Sequence, residues 1–351
     1  MDSMQVLAHQ TAIDTHARFG HRLMGLPGTW IGRSYSTAQR LLDGSMLSDL
    51  NGLSHPFSEW NYWWQAHYLD AIIDDGYAYL NEGNDKLAGE ALALANALLR
   101  GIHLRNFGVL PNYFFDDMAW LALASERLVR FTHEASGKKN KHAQLAVRVL
   151  GKQLHQGKDD VLDGGLYWSR KRDFKNTPAN APAALFFART GQKDISRELL
   201  QWLEAKLFSS EHGLYLDGLR INERGHRLEP AVYSYNQGTV LGALLELGEP
   251  ADLAHAQVLI KATAQSLASE SGVLAFNHGG DGNLFAGILC RYLALAATDE
   301  RLEASSRDTA KTLVMATSHH LKNQEPRRLS AAVQRWMIFC AAAGLESSTG
   351  R

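Results

Sequence analysis

Apolar residues recur along this chain at i, i+3, i+4 and i+7 far more often than at alternate positions. That spacing marks amphipathic helices rather than strands. It predicts twelve helices, near 2–20, 57–82, 86–105, 117–134, 139–155, 177–190, 193–208, 231–247, 250–268, 283–297, 300–320 and 328–343. Alternating β-branched runs are almost absent. The breaks carry the expected chemistry: Gly83-Asn84-Asp85, Ser136-Gly137 and Thr190-Gly191 are tight stops. Gly248-Glu249-Pro250 closes one helix and opens the next, with proline near the first turn.

The connections between helices alternate in length. Long ones fall at 21–56, 106–116, 156–176, 209–230, 269–282 and 321–327, and short ones at 83–85, 135–138, 191–192, 248–249 and 298–299. Short connections favour antiparallel neighbours, so every long loop falls on the same end of the molecule. Twelve antiparallel helices with one decorated end describe an all-α (α/α)6 barrel, six inner helices ringed by six outer ones. No composition shift or low-complexity linker divides the chain, which predicts one domain over 1–351. Functional residues concentrate on loops held by a rigid scaffold, so the decorated end is the expected working face.

Composition narrows the partners. The chain is 45% hydrophobic and 21% charged with a formal net charge of −1, which gives no electrostatic reason to expect nucleic acid or an anionic membrane surface. No apolar run reaches membrane-spanning length. Cys290 and Cys340 each sit in an apolar helical run and read as core thiols, not a disulfide framework. The first ten residues lack a basic and an apolar region of a signal peptide, so a cytoplasmic protein is expected, or a secreted one if a leader has been removed. His-Glu-x-x-His, zinc-spaced Cys/His clusters, Gly-x-Ser-x-Gly and the phosphate-binding Gly-x-x-x-x-Gly-Lys-Ser/Thr loop are all missing from the sequence. No metal or organic cofactor is called for.

The candidate chemistry centres on Asp116 and Asp117, an adjacent acid pair opening the helix near 117–134, behind Tyr113, Phe114 and Phe115 and one turn before Trp120. Asp is favoured at helix starts because it accepts orphan N–H groups and complements the helix dipole, so one acid has a purely structural explanation. Flanking loops carry flat aromatic faces and hydrogen-bonding groups of the kind a hydroxyl-rich ligand would need. Gly164-Gly165 allows tight backbone geometry, and Tyr167 and Trp168 offer flat faces with a polar rim. Lys175 and Asn176 offer donors aimed at hydroxyls. Arg170-Lys171-Arg172 reads as a solvated turn, with a phosphate site as the minor alternative. Tyr235, Asn236 and Gln237 gather donors and acceptors at a helix start, or else cap it and pack. Asp281, in Gly279-Gly280-Asp281-Gly282, is a cap, a hydroxyl acceptor or both. Trp60, Trp63, Trp64 and His67 form one aromatic stripe, and Trp64 is assigned either to the core or to the pocket floor.

Several of these blocks resemble glycoside hydrolase family 76, the α-1,6-mannanases. Phe115-Asp116-Asp117-Met118-Ala119-Trp120 is similar to the family signature, with Phe115 where Tyr is common and Leu121 where Trp is frequent. Gly164-Gly165-Leu166-Tyr167-Trp168 with Lys175, Asn176 and Asn180, and Tyr233-Ser234-Tyr235-Asn236-Gln237-Gly238, resemble two further blocks. The Phe285–Tyr292 segment departs in carrying Ala286 where Lys is usual, and Pro178 departs near a helix start. The resemblance implies the same (α/α)6 barrel. It implies a retaining mechanism with Asp116 as nucleophile and Asp117 as acid/base. Adjacent residues at a helix start project about 100° apart, and a separation of about 5–5.5 Å suits retention.

The expected function is an endo-acting α-1,6-mannanase acting on an α-mannosyl oligo- or polysaccharide. The expected contacts are Trp64, Tyr113, Tyr167, Trp168, Lys175, Asn176, Tyr235, Asn236, Gln237 and Asp281. The alternatives are a transglycosidase on α-mannosyl glycans and a mannan-binding protein without turnover.

Overall fold

The structure is a computed structural model describing residues 3–35, 60–277 and 279–348. The first residues of the helices expected at 2 and 57, most of the 21–56 loop, and His278 lie outside the described residues.

The described residues form twelve α-helices: α1 (Met4–Phe19), α2 (Tyr62–Asn81), α3 (Asp85–Arg105), α4 (Phe115–Ser136), α5 (Lys141–Gln156), α6 (Thr177–Arg189), α7 (Lys193–Leu207), α8 (Ser234–Leu247), α9 (Pro250–Ser266), α10 (Phe285–Ala297), α11 (Ala304–Leu321) and α12 (Leu329–Ser348). Every expected helix is present. The even-numbered helices pack α2 on α4, α4 on α6, α6 on α8, α8 on α10, α10 on α12 and α12 back on α2. They close an inner ring, and each odd-numbered helix packs outside its neighbour. The fold is an (α/α)6 barrel, as the loop spacing implied.

Burial patterns separate the two rings. In α6 every residue from Thr177 to Ala188 is buried, as a helix surrounded on all sides must be. Outer α5 buries Ala143, Ala146, Leu150, Gly151 and Leu154, a single stripe. Helix ends follow local rules: Asn84 and Asn140 accept first-turn N–H groups of α3 and α5, and Gly137 ends α4 at φ 66°, in the left-handed region open to glycine. Inside the ring, Asp70 and Asp74 of α2 meet Arg127 of α4 and Arg291 of α10. Arg291 reaches Asp70 at 2.6 Å, Arg127 reaches Asp74 at 2.6 Å, and Arg127 also bonds Asp70.

The long 209–230 connection carries strands that the helical pattern does not mark: Leu214–Asn222 (β5) and Gly225–Val232 (β6) form an antiparallel hairpin. Short strands at Phe174–Asn176 (β3) and Phe208–Ser209 (β4) also pair with β5. Because Ala231 and Val232 belong to β6, α8 starts at Ser234 rather than 231. A two-stranded ribbon, β1 (Gly20–His21) with β2 (Ile31–Gly32), precedes the ring.

Candidate active site

The inner helices all begin at one end, where a pocket of about 470 Å³ opens. Its floor and walls come from the segments entering α2 (Trp60, Asn61, Tyr62, Trp63), α4 (Asn112, Phe114, Asp116, Asp117, Trp120), α6 (Trp168), α8 (Tyr235) and α10 (Asp281, Phe285), with Asn106 from the end of α3. Helix starts carry unsatisfied N–H groups and a positive dipole end. This mouth therefore has a built-in preference for negative or oxygen-rich groups. Among the described lining residues are three carboxyls and no Lys, Arg or His. That set disfavours an anionic ligand and suits a neutral, hydroxyl-rich one.

Asp116 and Asp117 occupy the first turn of α4, after Phe114 at the N-cap. The cap explanation accounts for one bond, from the Asp117 N–H to Asp116 Oδ1 at 2.9 Å. The remaining contacts are tertiary. Trp168 Nε1 donates to Asp116 Oδ2 at 2.9 Å, and Asn112 Nδ2 donates to Asp117 Oδ2. Burial pushes Asp116 up to about 7, against the pull of the Asp117 N–H and the Trp168 indole. Asp117 is pushed well above the usual carboxylate range by burial, then by Asp116 and Asp281, with Asn112 pulling the other way. Two like charges in one desolvated place cannot both ionise readily. The better-solvated partner takes the charge, and that is Asp116, which has more N–H donors.

Aromatic rings seal the floor. Trp63 lies 6.4 Å from each of Trp120, Tyr235 and Phe285, bridging α2 to α4, α8 and α10. Tyr235 stacks on Phe285 at 3.9 Å and 13°. Asp281 Oδ1 accepts the indole N–H groups of Trp63 (3.1 Å) and Trp64 (2.8 Å), which fixes its carboxyl at the pocket edge. Flat apolar faces beside oriented carboxyls are the elements of a carbohydrate site.

The Glycosyl hydrolase family 76 profile matches residues 34–336. The chain belongs to glycosyl hydrolase family 76. Family membership makes the protein a glycoside hydrolase. The α-1,6-mannanase of Salegentibacter sp. HEL1_6 superposes with a TM-score of 0.79 at 25% identity, covering 97% of this chain and 99% of that one. An inactive variant of that enzyme, with two consecutive aspartates replaced by asparagine, has been solved with α-1,6-mannotriose (TM-score 0.79, 24% identity, same coverage). A family 76 mannosidase of Bacteroides thetaiotaomicron VPI-5482 shares the fold at 16% identity, with a TM-score of 0.74 and 99% of each chain covered. A search of curated proteins finds no match to this sequence.

Within this family 76 pocket the sequence-derived candidates divide. Asp116, Asp117, Trp168, Tyr235 and Asp281 line it together. Trp64 lies behind the lining, buried, and acts on the pocket through Asp281. Tyr113 is 48% exposed and packs edge-on against Phe114.

The remaining five candidates are placed in the scaffold. Lys175 is fully buried; its ammonium is held by Asp159 (2.7 Å) and the carbonyls of Val161 (2.6 Å) and Gly164 (2.7 Å). A buried charge needs such partners, so it has no donor left for a sugar. Tyr167 is buried with the Lys175 ammonium over its ring. Asn176 caps α6 through the Ala179 N–H. Gln237 clamps the N–H and carbonyl of Tyr215, tying α8 to β5. Asn236 is fully buried, its side-chain amide without a partner among the described residues. Gly164 and Gly165 have φ of 117° and 80°, and a Cβ on Gly165 would meet the Trp202 ring at 2.5 Å. The basic run is likewise engaged: Arg170 with Gln153, Lys171 with Asp173, Arg172 with Asp159.

Asn112, Trp63, Trp120 and Phe285 are lining residues that the sequence reading did not assign to the site. The three aromatics carried a signal, since each lies at an inner-helix start beside a loop already marked as functional. Asn112 carried none beyond its place five residues before Asp117.

Proposed function

We propose that the protein is an endo-acting α-1,6-mannanase that works by retaining double displacement, with Asp116 as nucleophile and Asp117 as acid/base. The observation that carries this reading is the unequal solvation of the two adjacent carboxyls. Asp116 accepts the Trp168 indole and the Asp117 N–H, so it is the carboxylate. Among the described residues Asp117 has one side-chain donor and faces two other carboxyls, so it is the one that keeps the proton.

In the first step Asp117 protonates the glycosidic oxygen as the C1–O bond breaks, and Asp116 forms an ester to C1. In the second, water loses a proton to Asp117 and attacks C1, and the ester electrons return to Asp116. Two inversions give net retention. The carboxyl-rich lining, without Lys, Arg or His among the described residues, supports a neutral glycan, and the similarity to the Salegentibacter α-1,6-mannanase supports the mannosyl linkage.

The test is NMR of products released from linear α-1,6-mannan, with α-1,2- and α-1,3-linked mannans as controls. Internal cleavage of the α-1,6 chain alone, with α-anomers formed first, is expected. First-formed β-anomers would overturn the mechanism, and preferential cleavage of a control would overturn the substrate.

A further inference from the structure

We infer that Asn112 is a positioning residue for the acid/base. It holds Asp117 Oδ2 as a permanent hydrogen-bond acceptor and so confines the exchangeable proton to Oδ1. The inference rests on the reading of Asp117 as acid/base and goes beyond it, to which oxygen carries the proton and what fixes it there.

The orientation of the Asn112 amide is chemically determined. Its Oδ1 accepts the N–H of Tyr113, and its Nδ2 donates to Asp117 Oδ2. Turning the amide over would set Nδ2 against the Tyr113 N–H, two donors facing each other, and leave that N–H without an acceptor. The amide therefore presents a donor to Asp117 in every protonation state of the acid. A carboxyl oxygen already accepting this N–H is the poorer place for a proton, because an O–H there would turn towards a donor.

The loop that carries Asn112 is held on both sides. Tyr62 donates its hydroxyl to the Leu110 carbonyl at 2.6 Å, and Asn106 donates to the Pro111 carbonyl at 2.9 Å. Arg170 donates through Nε to the Asn112 carbonyl at 3.1 Å and through its N–H to the Tyr113 carbonyl at 3.1 Å. Arg170 in turn is anchored on Gln153 at 2.6 Å.

The groups facing Asp117 leave Asn112 a distinct task. Asp116, beside it on α4, and Asp281, from the segment before α10, both disfavour its ionisation. Tyr62 of α2 is neutral and committed to Leu110. Arg170 is turned to carbonyls and Gln153. Among the described residues, Asn112 is the side-chain donor to the Asp117 carboxyl. In the double displacement Asp117 is protonated before the first step and ionised before the second. With Oδ2 tied to Asn112 in both states, the proton leaves from Oδ1 and returns to Oδ1, and the carboxyl does not rotate between half-reactions.

The experiment compares wild type with Asn112→Ala, Asn112→Asp and Asp117→Ala. Two substrates are used: α-1,6-mannotetraose, whose leaving group needs a proton, and an aryl α-1,6-mannobioside with a dinitrophenolate leaving group, which does not. Asn112→Asp keeps the acceptor for the Tyr113 N–H, and with it the loop, but offers Asp117 no donor.

Both Asn112 variants are expected to lose roughly 100-fold in kcat/KM on mannotetraose and only a few-fold, about the error of misplacement, on the aryl substrate. The basic limb of kcat/KM against pH is expected to move up by about one unit, since loss of a donor to the carboxylate favours the neutral acid. Equal losses on both substrates with an unmoved basic limb, in variants folded as judged by circular dichroism, would reduce Asn112 to a loop-building residue and overturn the inference. Asp117→Ala separates the two levels. If it discriminates between the substrates and the Asn112 variants do not, only the positioning role falls. If Asp117→Ala itself shows no discrimination, the acid/base reading falls and takes the inference with it.

Discussion

Trp168 donates its indole N–H to Asp116 across 2.9 Å, although the two residues are 52 positions apart. One comes from the segment that leads into α6, the other from the first turn of α4. The bond exists because adjacent inner helices begin at the same end of the ring. It connects the barrel topology directly to the charge state of a carboxyl in the pocket.

Removing that donor has a signed consequence. A nucleophilic Asp116 must be ionised, so activity falls as pH drops through its pKa, which burial has pushed up to about 7. Asp117 must be protonated, so activity falls again as pH rises through its own pKa, which burial and then the neighbouring Asp116 and Asp281 push well above the usual carboxylate range. Wild type is expected to show a bell for kcat/KM whose acid limb lies near pH 7. Trp168→Phe keeps a ring but deletes the N–H. The acid limb is expected to move up by about one unit, since a hydrogen bond to a charged group contributes roughly 1.5–3 kcal/mol. The loss should be greater at pH 6 than at pH 8, as measured by initial rates across the range. An acid limb that stays in place contradicts the assignment.

The buried quartet of Asp70, Asp74, Arg127 and Arg291 gives a stability prediction. Burial alone would raise Asp70, but Arg127 and Arg291 hold it below the usual carboxylate range. A carboxyl with a depressed folded-state pKa stabilises the fold above its unfolded value, near 4, and that contribution is lost as pH falls below it. Arg291→Met leaves two buried carboxylates with one cation. It is expected to cost about 3–5 kcal/mol in urea unfolding at pH 7, with the gap to wild type narrowing towards pH 3. A loss below 1 kcal/mol at pH 7 would contradict the electrostatic account.

Two glycines predict opposite signs. On inner helix α8, a Cβ at Gly238 would lie 2.9 Å from Leu289 Cα of α10, so Gly238→Ala forces two backbones apart. A cost of about 1–3 kcal/mol is expected. On outer helix α3, Gly89 has nothing within 4 Å of an added Cβ. Gly89→Ala is expected to stabilise by about 0.5–1 kcal/mol, because glycine in a helix interior loses more backbone entropy on folding. Thermal unfolding of the pair reads both. A lower Tm for Gly89→Ala, or none for Gly238→Ala, would argue against the inner and outer assignment.

The ring was legible in the sequence because its two determinants are local. Apolar periodicity marks each helix, and loop lengths alternate. The hairpin at 214–232 was not. Its outer strand reads His226-Arg227-Leu228-Glu229-Pro230, largely polar and largely exposed, so its order comes from pairing with β5 and leaves no periodic trace. The same limit governs the site. Asp116 and Asp117 stand out as a pair at a helix start. Lys175 looked like a sugar donor because sequence shows a charge but not the cage of carbonyls around it. Asn112 was passed over for the converse reason: a single loop asparagine has no signature until its partner across five residues is seen.

The central claim is that Asp116 and Asp117 are the two halves of one double displacement, and azide rescue tests it most directly. Asp117→Ala lacks proton donation but keeps the nucleophile. On the dinitrophenyl α-1,6-mannobioside it should glycosylate Asp116 and then stall, because water lacks its base. Azide needs no base, so adding it should restore turnover and yield a glycosyl azide with the α configuration. Asp116→Ala should form no glycosyl-enzyme and lose orders of magnitude in rate on every substrate. Near-normal turnover in both folded variants, with only the loss of about 1 kcal/mol in stability expected of a helix cap, would contradict the account. Rescue confined to Asp116→Ala would reverse the two roles.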